Sequence, residues 1–113
     1  MDTYLFDWAS ELECAVTVCD NEGIVVYRNS KSAKTFEKYG ELLGKNLREC
    51  HGERSWGMIM GMLESGESNS YTIEKEGVKK LIHQTPWRVD GVVRGLVEFS
   101  IILPGELPHF KRD

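Results

Sequence analysis

Apolar residues recur along this chain with two different spacings, and these spacings predict its secondary structure. Near the start, apolar positions at i, i+3, i+4 and i+7 predict an amphipathic helix over residues 1–12. The same spacing returns between Glu53 and Ser65 and predicts a central helix that ends at Gly66. The two stripes consist of Leu5, Trp8, Ala9 and Leu12, and of Trp56, Ile59, Met60 and Leu63.

Short β-prone runs make up much of the remaining chain. Strands are predicted at about Cys14–Cys19 and Ile24–Arg28, and the segment Asp20-Asn21-Glu22-Gly23 between them has the composition of a turn. Asn29 or Ser30 then caps a short helix.

Three more strands follow the central helix, joined by turns at Lys75-Glu76-Gly77 and at Asp90-Gly91. Side chains alternate between the two faces of a strand, so the alternation predicts which residues meet the helices. The residues expected to face the helices are Val93, Val97, Phe99 and Ile101 of the last strand, with Leu81 and Trp87 of the strand before it.

The order β-β-α-α-β-β-β behind an N-terminal helix predicts an α+β fold. We expect one five-stranded antiparallel sheet with the central helices on one face, and an N-terminal amphipathic helix. The expected organisation is a helix at residues 1–12, one domain at 13–103 and an irregular tail at 104–113. The length of 113 residues and the hydrophobic content of 41% fit a single folded domain.

Charge and cysteine content narrow the classes of function. The formal net charge is -4, and basic residues occur only in short groups such as Lys79-Lys80 and Lys111-Arg112, so no nucleic-acid partner is expected. No apolar run reaches about 18 residues and no secretory signal is visible, so no membrane association is expected. Three cysteines at scattered positions do not predict a disulfide framework, and they favour the reducing cytoplasm.

The order strand, turn, strand, Asn and helix near the start of the chain resembles a PAS domain, a small sensory module. The resemblance covers roughly residues 12–103 and depends on the order and spacing of several short motifs. These motifs are Asp20-x-x-Gly23-x-x-Val26-x-x-Asn29, Leu42-Leu43-Gly44-Lys45, Thr85-Pro86-Trp87-Arg88 with Asp90-Gly91, and Gly95-Leu96-Val97-Glu98.

This resemblance implies sensing or signalling rather than catalysis, and no catalytic residue is assigned. Many PAS domains end the last strand with an Asp-x-Thr step that leads into an output helix, whereas this strand runs into Leu103-Pro104-Gly105. We therefore expect the chain to act through a separate signalling protein or through a homodimer. A small enzyme on a similar scaffold is the least favoured alternative, because Ser55, Asp90 and His83 match no known catalytic motif.

A small-molecule ligand of unknown identity is expected between the sheet and the central helix. The residues predicted to line its site are His83, Tyr71, Trp56, Met60, Thr85 and Phe36. For His83 the alternative is a core histidine bonded to a backbone carbonyl or to Thr85. If side chains fill the core, the protein is instead a ligand-free interaction module of the same fold.

The Cys50-His51 step raises the question of a metal or haem, since it also resembles a subgroup of PAS domains. Leu47 occupies the first cysteine position of the Cys-x-x-Cys-His haem-attachment pattern, and the three cysteines and three histidines are scattered. No metal site is therefore expected, and a haem-based sensor is a minor alternative.

A homodimer is predicted from apolar residues that a monomer would leave exposed. The predicted interface consists of Leu5, Trp8 and Leu12 on the N-terminal helix and of Leu96, with Val92 and Ile102, on the outer face of the last strand. Alternatively, the helix folds back on its own sheet.

Overall fold

The structure, a computed structural model, describes residues 7–49 and 51–113. Its helices and strands are β1 (Ala15–Asp20), β2 (Val25–Arg28), α1 (Ser30–Thr35), α2 (Glu53–Ser65), β3 (Asn69–Lys75), β4 (Val78–Val89) and β5 (Val92–Ile102). Two short 3-10 turns, Glu37–Tyr39 and Leu47–Glu49, lie between α1 and α2. Residues 103–113 form neither a helix nor a strand.

The five strands form one antiparallel sheet in the order β2-β1-β5-β4-β3. Two-residue turns close the hairpins on either side of β4. Glu76 and Asp90 each have a φ of 51°, and the glycine after each has a φ of about 80°. Two successive positive φ values are characteristic of type I′ turns, whose twist matches that of the strands. Both turns lie where the sequence predicts them.

Local side-chain bonds and glycines determine where the two helices begin and end. The Asn29 side chain caps α1 by accepting a hydrogen bond from the Ser32 backbone N–H at 2.9 Å. Gly66 ends α2 in the left-handed conformation, and its N–H donates to the Met62 carbonyl. The bounds of α2 agree with those predicted from its apolar spacing.

The two helices cover one face of the sheet, here called the covered face, and leave the opposite, open face without a helix in the described chain. The core lies between the covered face and α2, where Cys19 and Leu96 of the sheet pack against Ile59 and Met62. Directly paired residues share a face. The register therefore places Ala15, Thr17, Ile82, Gln84, Glu98 and Ser100 on the covered face, and Val16, Val18, His83, Thr85, Val97 and Phe99 on the open face.

The predicted facing of β5 is therefore wrong for most of its length. Val97, Phe99 and Ile101 lie on the open face, and so does Leu81, which pairs with Ile101. The set Val93, Gly95, Val97, Phe99 and Ile101 is uniformly apolar, whereas the alternate set contains Glu98 and Ser100, so alternation indicated the wrong face.

A bulge in β5 explains why Val93 lies on the opposite face from Val97, Phe99 and Ile101. Trp87 pairs with Gly95 while Arg88 pairs with Val93, which leaves Arg94 as an extra residue. Val93 consequently lies on the covered side, next to Gly66 at the end of α2. Trp87 lies on the open face by alternation, contrary to the prediction, and its Nε1 donates to the Cys19 carbonyl at 3.1 Å.

The N-terminal helix predicted over residues 1–12 is not observed in its described part. Residues 8–11 form a turn, in which Ser10 and Leu12 donate backbone hydrogen bonds to the carbonyls three residues earlier. Leu5 lies outside the described residues. Among the described helices, none combines the length and hydropathy that a membrane crossing requires.

Candidate functional site

A cavity of about 140 Å³ lies between the covered face of the sheet and the segment that runs from α1 to α2. Its floor is formed by five side chains of the sheet: Thr17, Cys19, Gln84, Leu96 and Glu98. Its remaining walls come from the helical segment and consist of Phe36, Tyr39, Leu42, Leu47, His51 and Ile59. Most of this lining is apolar, and the charged and amide groups are concentrated on the floor.

The polar groups of the floor belong to one row that crosses four strands. Glu98 on β5 is the direct partner of both Thr17 on β1 and Gln84 on β4, and Gln84 is the partner of Asn69 on β3. Hydrogen bonds join most of this row. The Gln84 amide donates to Glu98 Oε1 at 2.9 Å, and the Asn69 amide donates to Gln84 Oε1 at 3.3 Å.

Thr17 is oriented by a different bond. Its hydroxyl lies 2.6 Å from the Ser32 hydroxyl of α1, and both residues are buried. This bond attaches α1 to the centre of the sheet beside the cavity. Thr17 is therefore bonded to Ser32, and Gln84 is the residue that donates to the Glu98 carboxylate.

The environment of the cavity changes the acidity of two nearby groups. Burial raises the pKa of the Cys19 thiol, and the charges of Asp20 and Glu98 add to this effect. Partial burial, followed by the Glu98 charge, raises the pKa of the Tyr71 hydroxyl. Both groups therefore stay neutral near pH 7, and Glu98 is the acidic residue that carries charge on the cavity floor.

Two of the six predicted ligand-site residues lie at or beside this cavity. Phe36, the residue that ends α1, forms part of its wall. Tyr71 pairs with Ile82, so it lies on the covered face near Glu98, although its side chain is 42% exposed at the sheet edge. A role for either in ligand binding stays a prediction.

The other four predicted residues are not part of the cavity wall. His83 and Thr85 lie on the open face, where His83 Nδ1 is 2.6 Å from the Ser70 hydroxyl and Thr85 accepts a hydrogen bond from Ser68. Because β4 and β5 are directly paired, an error in the predicted facing of β5 is also an error in the predicted facing of β4. These two assignments to the covered face are therefore wrong.

Trp56 and Met60 are displaced for a different reason. The Trp56 ring lies against Gly23 in the β1–β2 turn, where a Cβ would come within 2.5 Å of the ring. Met60 is 37% exposed, whereas Ile59 and Met62 are the buried residues of α2. Trp56, Ile59 and Leu63 pack at the core as predicted, and Met62 takes the buried position predicted for Met60.

Sequence reasoning missed most of the floor. The available signals were Gln84 between two apolar covered residues and Glu98 between the apolar Val97 and Phe99. A buried polar side chain needs a hydrogen-bonding partner. This requirement predicts that Gln84 and Glu98 pair with each other across the two strands.

A second, shallow concavity of about 260 Å³ lies on the open face. Its walls are Asp7, Trp8, Ala9, Val16, Val18, Tyr27, Val97 and Phe99. Trp8 is 66% exposed beside it. Leu96, predicted as an interface residue, is instead only 4% exposed in the core, so its assignment to an interface is wrong.

No group of three or more side chains that could hold a metal ion occurs within residues 7–49 and 51–113. His51 Nδ1 is bonded to the Leu47 carbonyl at 2.9 Å. The described residues therefore supply no donor set from which to build a metal centre.

Neither a protein-family model nor a curated protein matches this sequence. Solved structures do share its architecture. The PAS domain of the histidine kinase ThkA matches with a TM-score of 0.65 and 20% identity, over 80% of this chain and 99% of that one. A sensory box histidine kinase from Vibrio cholerae matches with a TM-score of 0.62 and 16% identity, over 89% and 90% of the two chains.

A third similar structure is VqmA bound to DPO, with a TM-score of 0.68 and 16% identity. The alignment covers 90% of this chain but 58% of VqmA. At identities of 20% or less, these likenesses establish the fold that the chains have in common.

Proposed function

We propose that this chain, which has the PAS fold, is a sensory domain that binds a small molecule in the cavity between the sheet and the helices. The observation that supports this proposal most directly is the cavity of about 140 Å³ with a polar row on its floor. An apolar cavity of about 150 Å³ is large enough for a benzene-sized ligand. The described fold therefore has room for a compact ligand without rearrangement.

A solved structure of similar fold is described as VqmA bound to DPO, which supports the proposal that a domain of this fold can hold a ligand. A competing proposal is a ligand-free interaction module, in which the cavity closes in solution. The two proposals differ in whether a ligand accompanies the native protein.

Native mass spectrometry and an absorption spectrum of the purified protein test this difference. We expect an additional mass that disappears on denaturation. Ile59→Phe should remove that mass, since Ile59 is 3% exposed in the cavity wall, whereas Met58→Phe should retain it, since Met58 is 47% exposed on the same helix. The ligand-free module would instead be supported by two results together: the wild type carries no additional mass, and Ile59→Phe increases the stability of the protein.

We further propose that the open face forms a homodimer through Trp8 and the apolar residues beside it. Exposed Trp8, with Val97 and Phe99 of β5, replaces the predicted set that included Leu96. Leu5 lies outside the described residues, and Leu12 is half-buried. A structure described as a VqmA dimer has a similar fold, which is consistent with this arrangement.

Sedimentation tests the dimer. A stable interface should bury more than about 1,000 Å² in total. Trp8→Glu should shift the protein toward monomer, whereas Met58→Glu on the helix side should not. A wild type that remains monomeric at high concentration would contradict the dimer and leave signalling to a separate partner protein.

The cytoplasm is the proposed compartment. Cys14 and Cys19 are free thiols in the structure, and Cys19 is buried. Free thiols are compatible with a reducing environment. Cell fractionation with an antibody to the native chain tests this assignment.

A further inference from the structure

We infer that the cavity selects a ring-sized ligand that carries N–H donors and a positive charge, such as a protonated amino-substituted nitrogen heterocycle, and that Glu98 accepts these donors. This inference rests on the proposed ligand-binding function. It goes further by stating which chemical class the site takes.

The first support is that the Glu98 carboxylate is incompletely paired. Oε1 accepts a hydrogen bond from Gln84, and Oε2 accepts none from the described residues. The cavity lining contains no lysine or arginine, and the one ion pair within the described chain joins Arg28 to Glu41. A cationic N–H ligand in the cavity would supply the donor and the positive charge that Oε2 of Glu98 lacks.

The second support is the hydrogen-bonding state of His51. Its Nδ1 must donate to Leu47, because a carbonyl oxygen only accepts. In the neutral imidazole, Nε2 is then an acceptor. Glu98 and, in its neutral form, His51 each offer an acceptor to the cavity, which suits a ligand that donates.

The third support is the shape of the apolar part. Leu42, Leu47, Ile59 and Leu96 surround a volume suited to one ring. An anionic ring of the same size would bring a second negative charge close to Glu98, and like charges repel. The lining therefore discriminates by charge as well as by size.

Three ring-sized probes separate these contributions: 2-aminopyridine, benzoate and toluene. Protonated 2-aminopyridine presents two adjacent N–H groups, which match the two oxygens of a carboxylate. We expect NMR titration of the full chain to show 2-aminopyridine binding most tightly, toluene binding more weakly and benzoate not binding. This order is measured on the wild type and needs no variant.

Glu98→Gln supplies the residue-level test. It keeps the shape of the side chain and removes its charge, so the affinity for 2-aminopyridine should fall about tenfold, the difference between a charge-assisted and a neutral hydrogen bond. The affinity for toluene should not change. Glu64→Gln, at an exposed position of α2, should leave both affinities unchanged.

The outcomes distinguish the inference from the proposed function. Benzoate binding as tightly as 2-aminopyridine, or an affinity for 2-aminopyridine that Glu98→Gln does not change, overturns the inference while leaving a ligand cavity in place. If none of the three probes binds, both the inference and the proposed cavity are overturned.

Discussion

Gln84 and Glu98 are direct cross-strand partners, and the Gln84 amide donates to the Glu98 carboxylate at 2.9 Å beneath the helices. Gln84 also accepts a hydrogen bond from Asn69, so one amide uses both of its ends within the sheet. A buried amide of this kind orients the carboxylate on the cavity floor. The stability of the sheet and the chemistry of the cavity therefore depend on the same pair.

Gln84→Leu should destabilise the protein by about 1–3 kcal/mol, because it leaves the Glu98 carboxylate without its donor. The double variant Gln84→Leu/Glu98→Leu should recover part of this loss, since it removes the unpaired group as well. Urea unfolding of the two variants and the wild type measures both effects. Equal stability of wild type and single variant would show that water replaces Gln84 at this site.

Asn29→Ala should cost roughly 2–4 kcal/mol, more than a simple helix cap. The buried Asn29 side chain accepts hydrogen bonds from the Val16 and Ser32 amides and donates to the Ala9 and Cys14 carbonyls. One residue thus joins the start of α1, strand β1 and the N-terminal turn.

Two related variants separate the roles of Asn29 in thermal unfolding. Asn29→Asp keeps the accepting oxygen but cannot donate, so it should still lower stability. Ser30→Ala alters the exposed neighbouring residue and should change stability by less than about 0.5 kcal/mol. A fully stable Asn29→Asp variant would show that the two donated bonds contribute little.

Gly95→Ala should be strongly destabilising, by roughly 1–3 kcal/mol or more. A Cβ at this position would overlap the Cys19 carbonyl oxygen and Trp87 Nε1, and the backbone carbonyl cannot move without disturbing β1. Gly61→Ala is the matched control, because nothing lies within 4 Å of a Cβ there. In α2 this replacement should stabilise by about 0.5–1 kcal/mol. In chemical denaturation, the free energy of unfolding should decrease for Gly95→Ala and increase for Gly61→Ala.

The buried Cys19 thiol predicts how stability depends on alkaline pH. Its pKa is raised by burial in the folded state, so its contribution to stability is complete below its ordinary pKa of 9.0 and is lost as pH rises through the folded-state pKa. Stability should therefore fall above about pH 9, and Cys19→Ala should show a shallower fall.

This measurement uses urea unfolding between about pH 7.5 and about pH 9.5, and it compares slopes rather than absolute stabilities. Tyr27 and Tyr71 also have raised pKa values, but their ordinary pKa of 10.0 places their effect at higher pH. Parallel slopes for the wild type and Cys19→Ala would contradict the prediction.

The order of strands and helices was predictable from the sequence because local signals determine it. Turn residues at Asp90-Gly91, the Asn29 cap and the apolar spacing of α2 each act over a few residues, and the predicted five-stranded PAS fold is confirmed. The N-terminal helix was predicted but is not observed in residues 7–12, since the apolar spacing around Trp8 also fits a turn beside an apolar sheet face.

The candidate site was less predictable because it depends on which face of β5 the helices cover. The open face carries the more apolar residues, Val97, Phe99 and Ile101, and the bulge at Arg94 changes the alternation within the strand. That choice is made by contacts distant in sequence, between Leu96 and Ile59 for example, which no local pattern reveals. Because the predicted facing of β5 was wrong, the facing predicted for His83 and Thr85 of the paired strand β4 was wrong as well.

The alternation along β5 has a consequence for communication. Glu98 lines the cavity, and its neighbour Val97 lines the concavity on the open face. Adjacent residues of a strand are only about 3.4 Å apart along the chain. If a ligand shifted the backbone at Glu98, the shift would therefore reach the opposite surface through a single peptide unit, across the thickness of the sheet.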